Sequence, residues 1–190
     1  MSRVALPAEL RTERLLLRQW RAEDVEPLTA IYSQPEYLEH MPPLDLAGTA
    51  AQIQRFAMQW RHEGLSHWAA EDPESGRLVG RIGLLRHHDW PLSRSPVEVG
   101  WTLDRDYWGR GLATEGGRAA MECWRELLLD DAQLISITIP ANVRSRAVME
   151  RLGLTFRGSA RWREHDVVWY AVDRPAGADE AEPDPPDTEP

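Results

Sequence analysis

The chain contains no lysine: all 22 of its basic residues are arginine. A Walker-type loop needs a lysine at the terminal phosphates, and pyridoxal phosphate or any other Schiff-base chemistry needs a lysine amine, so both classes are excluded. Cysteine is almost absent as well. Cys123 has no partner for an internal disulfide, and it falls on the apolar side of a predicted helix, where an inert core thiol is expected rather than a nucleophile. No apolar run approaches the ~20 residues that span a bilayer, and residues 1–10 lack the basic and apolar regions of a signal peptide. A cytoplasmic protein with no membrane partner is the expectation. The six histidines show no metal-ligand spacing, so no metal is expected and His87-His88 reads as a polar loop.

A basic footprint for nucleic acid is also missing, since the net charge is −9. That charge is unevenly spread. Residues 175–190 hold six acidic groups and no basic one, leaving 22 basic residues against 25 of the 31 acidic ones in residues 1–174. The tail is rich in Pro, Asp, Glu and Ala with no large apolar residue, so burial cannot offset its ordering entropy and it is expected to be disordered. Residues 1–174 are then one domain's worth of chain.

What is present is led by Asp106-Tyr107-Trp108-Gly109-Arg110-Gly111-Leu112-Ala113-Thr114-Glu115, with a strand-like run before it and an amphipathic helical pattern after it. Small residues at 109, 111 and 113 let backbone approach a ligand closely, and a helix starting there aims unpaired N–H groups at an anion. A dinucleotide fingerprint needs a third glycine three residues after Gly111, where Thr114 stands. Pyrophosphate capture by backbone amides survives.

Along the chain, strands are expected at 15–18, 67–71, 77–85, 97–103, 133–139, 155–160 and 167–173, from alternation and β-branched content. The 67–71 and 77–85 pair is joined by the turn Asp72-Pro73-Glu74-Ser75-Gly76. Helices are expected at 21–32, 48–62, 112–128 and 143–152, the last with Asn142 as N-cap and Gly153 at its end. Pro35, Pro42 and Pro43 punctuate a loop between the first two helices. Gly116 and Gly117 cost the third helix about 1 kcal/mol each relative to Ala, which points to close backbone packing. Of nine tryptophans, Trp60 and Trp101 read as core by periodicity, while Trp68, Trp90 and Trp162 are candidate walls of an acceptor cleft.

The ordered string Glu98-Val-Gly-Trp-Thr-Leu-Asp, Tyr107-Trp-Gly-Arg-Gly-Leu-Ala-Thr-Glu115, Asn142-Val-Arg-Ser145 and Met149-Glu-Arg-Leu-Gly-Leu154 resembles the GNAT superfamily of acetyl-CoA-dependent N-acetyltransferases, over residues 10–173. The likeness is greatest to the branch of the ribosomal-protein N-terminal alanine acetyltransferases. One departure is that the superfamily turn usually opens with Gln or Arg where Trp108 stands; backbone amides are unaffected, so altered packing is expected there. The resemblance implies an α+β GNAT fold, with a mixed and mostly antiparallel sheet of about seven strands flanked by about four helices. It implies acetyl-CoA as co-substrate, and a small-molecule amine or a protein N-terminus as acceptor. A homodimer is compatible with the aromatic content.

The resemblance also assigns roles. Trp108, Gly109, Arg110, Gly111, Leu112, Ala113 and Thr114 would meet the phosphates; Leu103 would lie by the pantetheine arm, and Asn142 would border the cofactor. Acetyl transfer to an amine needs a base for the amine, a stabilised oxyanion and a proton for the thiolate. Glu164 is the first candidate for the base, by its position onward from Ser145, and Glu98, on a strand where other branches keep a carboxylate, is the rival. Ser145 is carried over as proton donor to the thiolate or as a cofactor partner, and Tyr170 is a weaker alternative acid. A different class of function, a non-catalytic acyl-CoA-binding regulatory module, would need the same glycine turn.

Overall fold

The computed structural model describes residues 5–94, 96–127 and 133–173; the acidic tail 175–190 and residue 128 lie outside them. Eight strands form a single sheet in the order β1-β2-β3-β4-β5-β6-β8-β7. They are β1 Glu9–Arg11, β2 Leu16–Arg18, β3 His67–Glu71, β4 Leu78–Arg86, β5 Val97–Leu103, β6 Gln133–Thr138, β7 Thr155–Trp162 and β8 His165–Asp173. β1 is the strand beyond the seven expected; at three residues it is too short to show alternation.

Five helices accompany the sheet: α1 Val25–Tyr32, α2 Pro35–Leu38, α3 Leu46–Glu63, α4 Leu112–Leu127 and α5 Val143–Arg151. α2 is a single turn within the predicted proline loop, opened by Pro35 at its first position, where a missing N–H costs nothing. A short 3-10 turn, Ala22–Asp24, takes the place expected for the start of the first helix. Asp45 caps α3 by accepting from Gly48 N at 2.7 Å, and Gly64 ends it in the left-handed region at φ 74°.

Strand alternation divides the sheet between two layers. On one face α4 lies over β4 and β5, and Ala120, Met121 and Trp124 join Ile82, Leu84, Val97 and Val99 in the main core. Close approach depends on Gly116, where a Cβ would come within 2.5 Å of Ile82 Cδ1, and on Gly117, where it would come within 2.9 Å of Leu152 Cδ1. The other face carries α1 and α3, with Leu28, Ile31, Tyr32 and Ile53 packed on Ala69 and Leu78. His67, Arg81, Glu98, Gly100 and Thr102 belong to this second face by register.

One pairing sets the functional geometry. β5 and β6 are the only parallel neighbours among the described strands, and they pair only at Val97↔Leu134 and Glu98↔Ile135. Beyond Glu98, β5 continues bonded to β4 as far as Leu103, while β6 stays with β8 as far as Thr138. The sheet therefore opens between β5 and β6 toward the start of α4.

Candidate active site

At the end of β5, Asp104 accepts from Asp106 N at 3.0 Å and turns the chain into a 3-10 turn, Arg105–Tyr107. Gly109 at φ 75° and Gly111 at φ 80° then carry the backbone through left-handed conformations that strain any other residue. Glu115 N donates to Gly111 O at 3.0 Å, so the amides of residues 112–114 precede the helical ladder and have no carbonyl within it. Arginines surround this turn: Arg110 lies 5.1 Å from the Tyr107 ring centroid, Arg144 5.1 Å from that of Trp108, and Arg151 donates to Thr114 Oγ1 at 3.2 Å. Free amides, a helix N-terminus and nearby guanidinium groups together make a fitting receptacle for a pyrophosphate.

The departure at Trp108 does act through packing: its Nε1–H donates to Leu103 O at 2.9 Å, tying the turn to the last residue of β5. Glu115 ties it on the other side, accepting from Thr12 Oγ1 at 2.6 Å, from Arg14 N at 2.8 Å and from Arg14 Nε at 2.7 Å. Burial pushes the Glu115 carboxyl up, but these bonds and the Arg14 charge outweigh it and hold the carboxyl below its ordinary value.

Glu98 occupies the apex of the opening between β5 and β6. Its Oε1 accepts from Ile137 N at 3.2 Å, an amide just past the last β5–β6 pair, and its Oε2 lies 2.6 Å from His87 Nε2. Both side chains are largely buried, 13% and 7% exposed. The His87 ring is packed edge-on against Trp162 at 4.8 Å, and Trp162 meets Trp90 at 5.4 Å. His87, read from sequence as part of a polar loop, is thus a buried partner of Glu98. Its signal is weak, because it comes from a contact 11 residues apart in sequence that only the β4–β5 hairpin creates.

The other expected residues are distributed as follows. Asn142 caps α5, its Oδ1 accepting from Ser145 N at 3.0 Å, and Ser145 is half-buried in the first turn of that helix. Tyr170 is buried on β8, its hydroxyl accepting from Arg146 Nε at 3.0 Å and donating to Glu150 at 3.3 Å. Glu164 is exposed at the tip of the β7–β8 hairpin with φ 67°. That tip is anchored by Arg163, which binds Asp89 at 2.8 and 3.0 Å, in the loop that carries His87. Trp90 and Trp162 do gather beside His87, but Trp68 does not wall a cleft: it is fully buried in the core with its Nε1–H on Pro7 O. Trp60 and Trp101 are half-buried against that core. Cys123 is buried, and desolvation with Glu126 and Glu122 nearby pushes its thiol up, as suits an inert core residue.

A cavity of about 530 Å³ lies elsewhere, between α1 and the ends of β2, β3 and β4. Its wall includes Arg18, Asp24, Glu71 and Asp104 but none of the expected catalytic or cofactor-binding residues. Arg18 in that wall is already paired to Asp24 and Glu71. Among the described residues no group of three or more His, Cys, Asp or Glu side chains could hold a metal ion, and no helix is long and apolar enough to cross a membrane.

The family model for the acetyltransferase (GNAT) domain matches residues 14–155. The chain belongs to the GNAT acetyltransferases. The N-acetyltransferase YoaA of Bacillus subtilis, itself uncharacterized, is 30% identical over 111 residues, 56% of this chain and 60% of that one. Among solved structures, an acetyltransferase from Agrobacterium tumefaciens is 28% identical with a TM-score of 0.75, over 90% of this chain and 96% of the other. RimL, a ribosomal L7/L12 alpha-N-protein acetyltransferase in complex with coenzyme A, shares the fold at 17% identity and TM-score 0.69, over 88% and 97% of the two chains. Membership makes this GNAT chain an N-acetyltransferase with acetyl-CoA as co-substrate, and the glycine turn and the opening in its sheet fit that ligand.

Proposed function

We propose that this GNAT enzyme transfers acetyl to a primary amine with Glu98, paired to His87, as the general base. The observation that carries the reading is the Glu98 carboxylate at the apex of the β5–β6 opening, 2.6 Å from His87 Nε2. Acetyl-CoA supplies the activated thioester, seated with its pyrophosphate on the amides of residues 112–114, beside Arg110 and Asn142. Glu98 takes the proton that the amine must lose, and the hydrogen bond to His87 gives that proton a way onward. Burial of the Glu98 side chain, with the His87 ring packed on Trp162, keeps water from competing for the carboxylate. Ser145, in the first turn of α5, gives a proton to the departing thiolate. No covalent enzyme intermediate is needed, because the amine attacks the thioester carbon directly.

The second reading keeps Glu164 as the base. It is favoured by the Arg163–Asp89 anchor, which holds the hairpin tip beside the His87 loop. For the acceptor, both a protein N-terminus, the kind of substrate named for RimL, and a small amine remain within the proposal.

The test is CoA release, followed by thiol titration, across free-N-terminus peptides and small amines, for the wild type, Glu98→Gln, Glu164→Gln and Ser145→Ala. Acceptor-dependent release that collapses in Glu98→Gln and persists in Glu164→Gln is the expected result. The reverse pattern moves the base to Glu164. Calorimetric CoA binding without release for any acceptor would identify a non-catalytic acyl-CoA-binding module instead.

A further inference from the structure

On the face carrying α1 and α3, His67 of β3, Gly83 of β4 and Gly100 of β5 stand in register across three adjacent strands. With no side chain on either glycine, the imidazole reaches across β4 to β5. A Cβ on Gly100 would come within 3.2 Å of His67 Nε2 and 3.8 Å of Glu98 Cδ. The imidazole edge and the Glu98 carboxyl thus both lie against Gly100, which is half-buried like Glu98.

The chemical state of this imidazole is set by its neighbours. Arg81 Nη1 lies 2.6 Å from His67 Nδ1. A guanidinium only donates, so Nδ1 accepts and the proton of the neutral ring stands on Nε2. Arg81 is in turn fixed by donating from Nε to the Tyr32 hydroxyl at 3.0 Å, and Tyr32 donates to Gln52 Oε1 at 2.5 Å. Burial first, then the charge of Arg81 and the proximity of His87, push the imidazole well below its ordinary value and keep it neutral. Its lone pair is engaged, so it is a donor and not a base. Yet the residue is 1% exposed and Nε2 has no hydrogen-bond partner. A buried donor held in place by a chain of three side chains and left unpaired is unfavourable until something accepts from it.

We propose that His67 is a specificity-determining residue whose Nε2–H binds an oxygen on the carbon next to the amine-bearing carbon of the acceptor. This rests on Glu98 receiving the amine. An α-amine with an adjoining carbonyl or carboxylate places nitrogen and oxygen on neighbouring carbons, short enough to meet Glu98 and His67 together. A simple alkyl amine leaves the His67 donor unpaired, and a site built around such a donor discriminates against ligands that lack the oxygen.

The test compares kcat/KM for alaninamide, alanine and isopropylamine in the wild type, His67→Leu and His67→Gln. The wild type is expected to favour an α-amino-carbonyl acceptor over isopropylamine by about 10-fold or more. Alaninamide against alanine separates a peptide-like terminus from a free amino acid. His67→Leu is expected to bring the ratio near one by weakening only the oxygen-bearing acceptors, and His67→Gln, which retains a side-chain N–H, to restore most of it. Equal losses on all three acceptors, or an unchanged ratio in His67→Leu, would overturn the proposal. Failure of the Glu98 reading looks different: Glu98→Gln would then turn over like the wild type, while the His67 ratio still decides. Independently of turnover, the Nε2 signal of 15N-histidine-labelled protein with CoA should shift with alaninamide or alanine and not with isopropylamine; indifference to all three would overturn the proposal.

Discussion

Arg18 on β2 and His67 on the adjacent β3 are both buried polar side chains on one sheet, but their surroundings are completed differently. Every nitrogen of Arg18 is in use: Nε on Glu71 at 2.6 Å, Nη1 and Nη2 on Asp24 at 2.8 Å each. Asp24 also accepts from Arg21 N at 2.8 Å, so the cluster closes on itself and clamps β2, β3 and the turn before α1. The cluster around His67, Glu98 and His87 is open, with one buried donor unpaired and a carboxylate facing the gap between β5 and β6. A closed polar cluster has nothing left to offer a ligand; an open one keeps groups free to meet one.

The contrast breaks most visibly at Arg18. Arg18→Ala removes the buried counter-charge of Asp24 and leaves Glu71 only Arg21 at 3.5 Å, and is expected to cost about 3–5 kcal/mol, read from urea unfolding; a loss under ~1 kcal/mol would mean the closed cluster does not hold the fold. Glu98→Gln is the matching change in the open cluster. It is expected to lower kcat/KM by about 10²–10⁴-fold while shifting the urea midpoint little. At the ligand turn, Gly111→Ala puts a Cβ at φ 80°, with an expected strain of about 1–2 kcal/mol and a corresponding weakening of CoA binding by calorimetry.

The pH dependence of stability sharpens the comparison further. The His67 imidazole lies well below 6.5 in the folded protein, so below that pH the unfolded chain binds a proton that the folded chain refuses. Stability therefore falls as pH drops below 6.5, and His67→Gln should flatten that slope. Glu115 acts in the same direction at lower pH, since its depressed carboxyl contributes stability that is lost once it is protonated. The smallest effect is expected at Glu164: exposed at its hairpin tip, Glu164→Gln should change kcat/KM by less than about 2-fold and stability by under ~0.5 kcal/mol.

Much of this was legible beforehand because it is local. Asn142 as cap, Gly109 and Gly111 as turn glycines, and Gly116 and Gly117 as close-packing positions all follow from spacing along the chain. β1 and α2 were not legible, being too short to carry a period. The partners of Glu98 were hidden for a different reason: His87, Ile137 and Gly100 reach it through strand register, and His67 acquires its fixed tautomer from Arg81, 14 residues away. Trp68 misled because strand alternation does not say which face is the cleft; its face is the one under α4.

The most direct measurement is kcat/KM for Glu98→Gln beside the wild type, with CoA affinity determined calorimetrically on the same samples. The expected result is unchanged CoA affinity and turnover lower by at least about 100-fold. Wild-type turnover in Glu98→Gln with CoA affinity intact would contradict the assignment of the open cluster as the catalytic site.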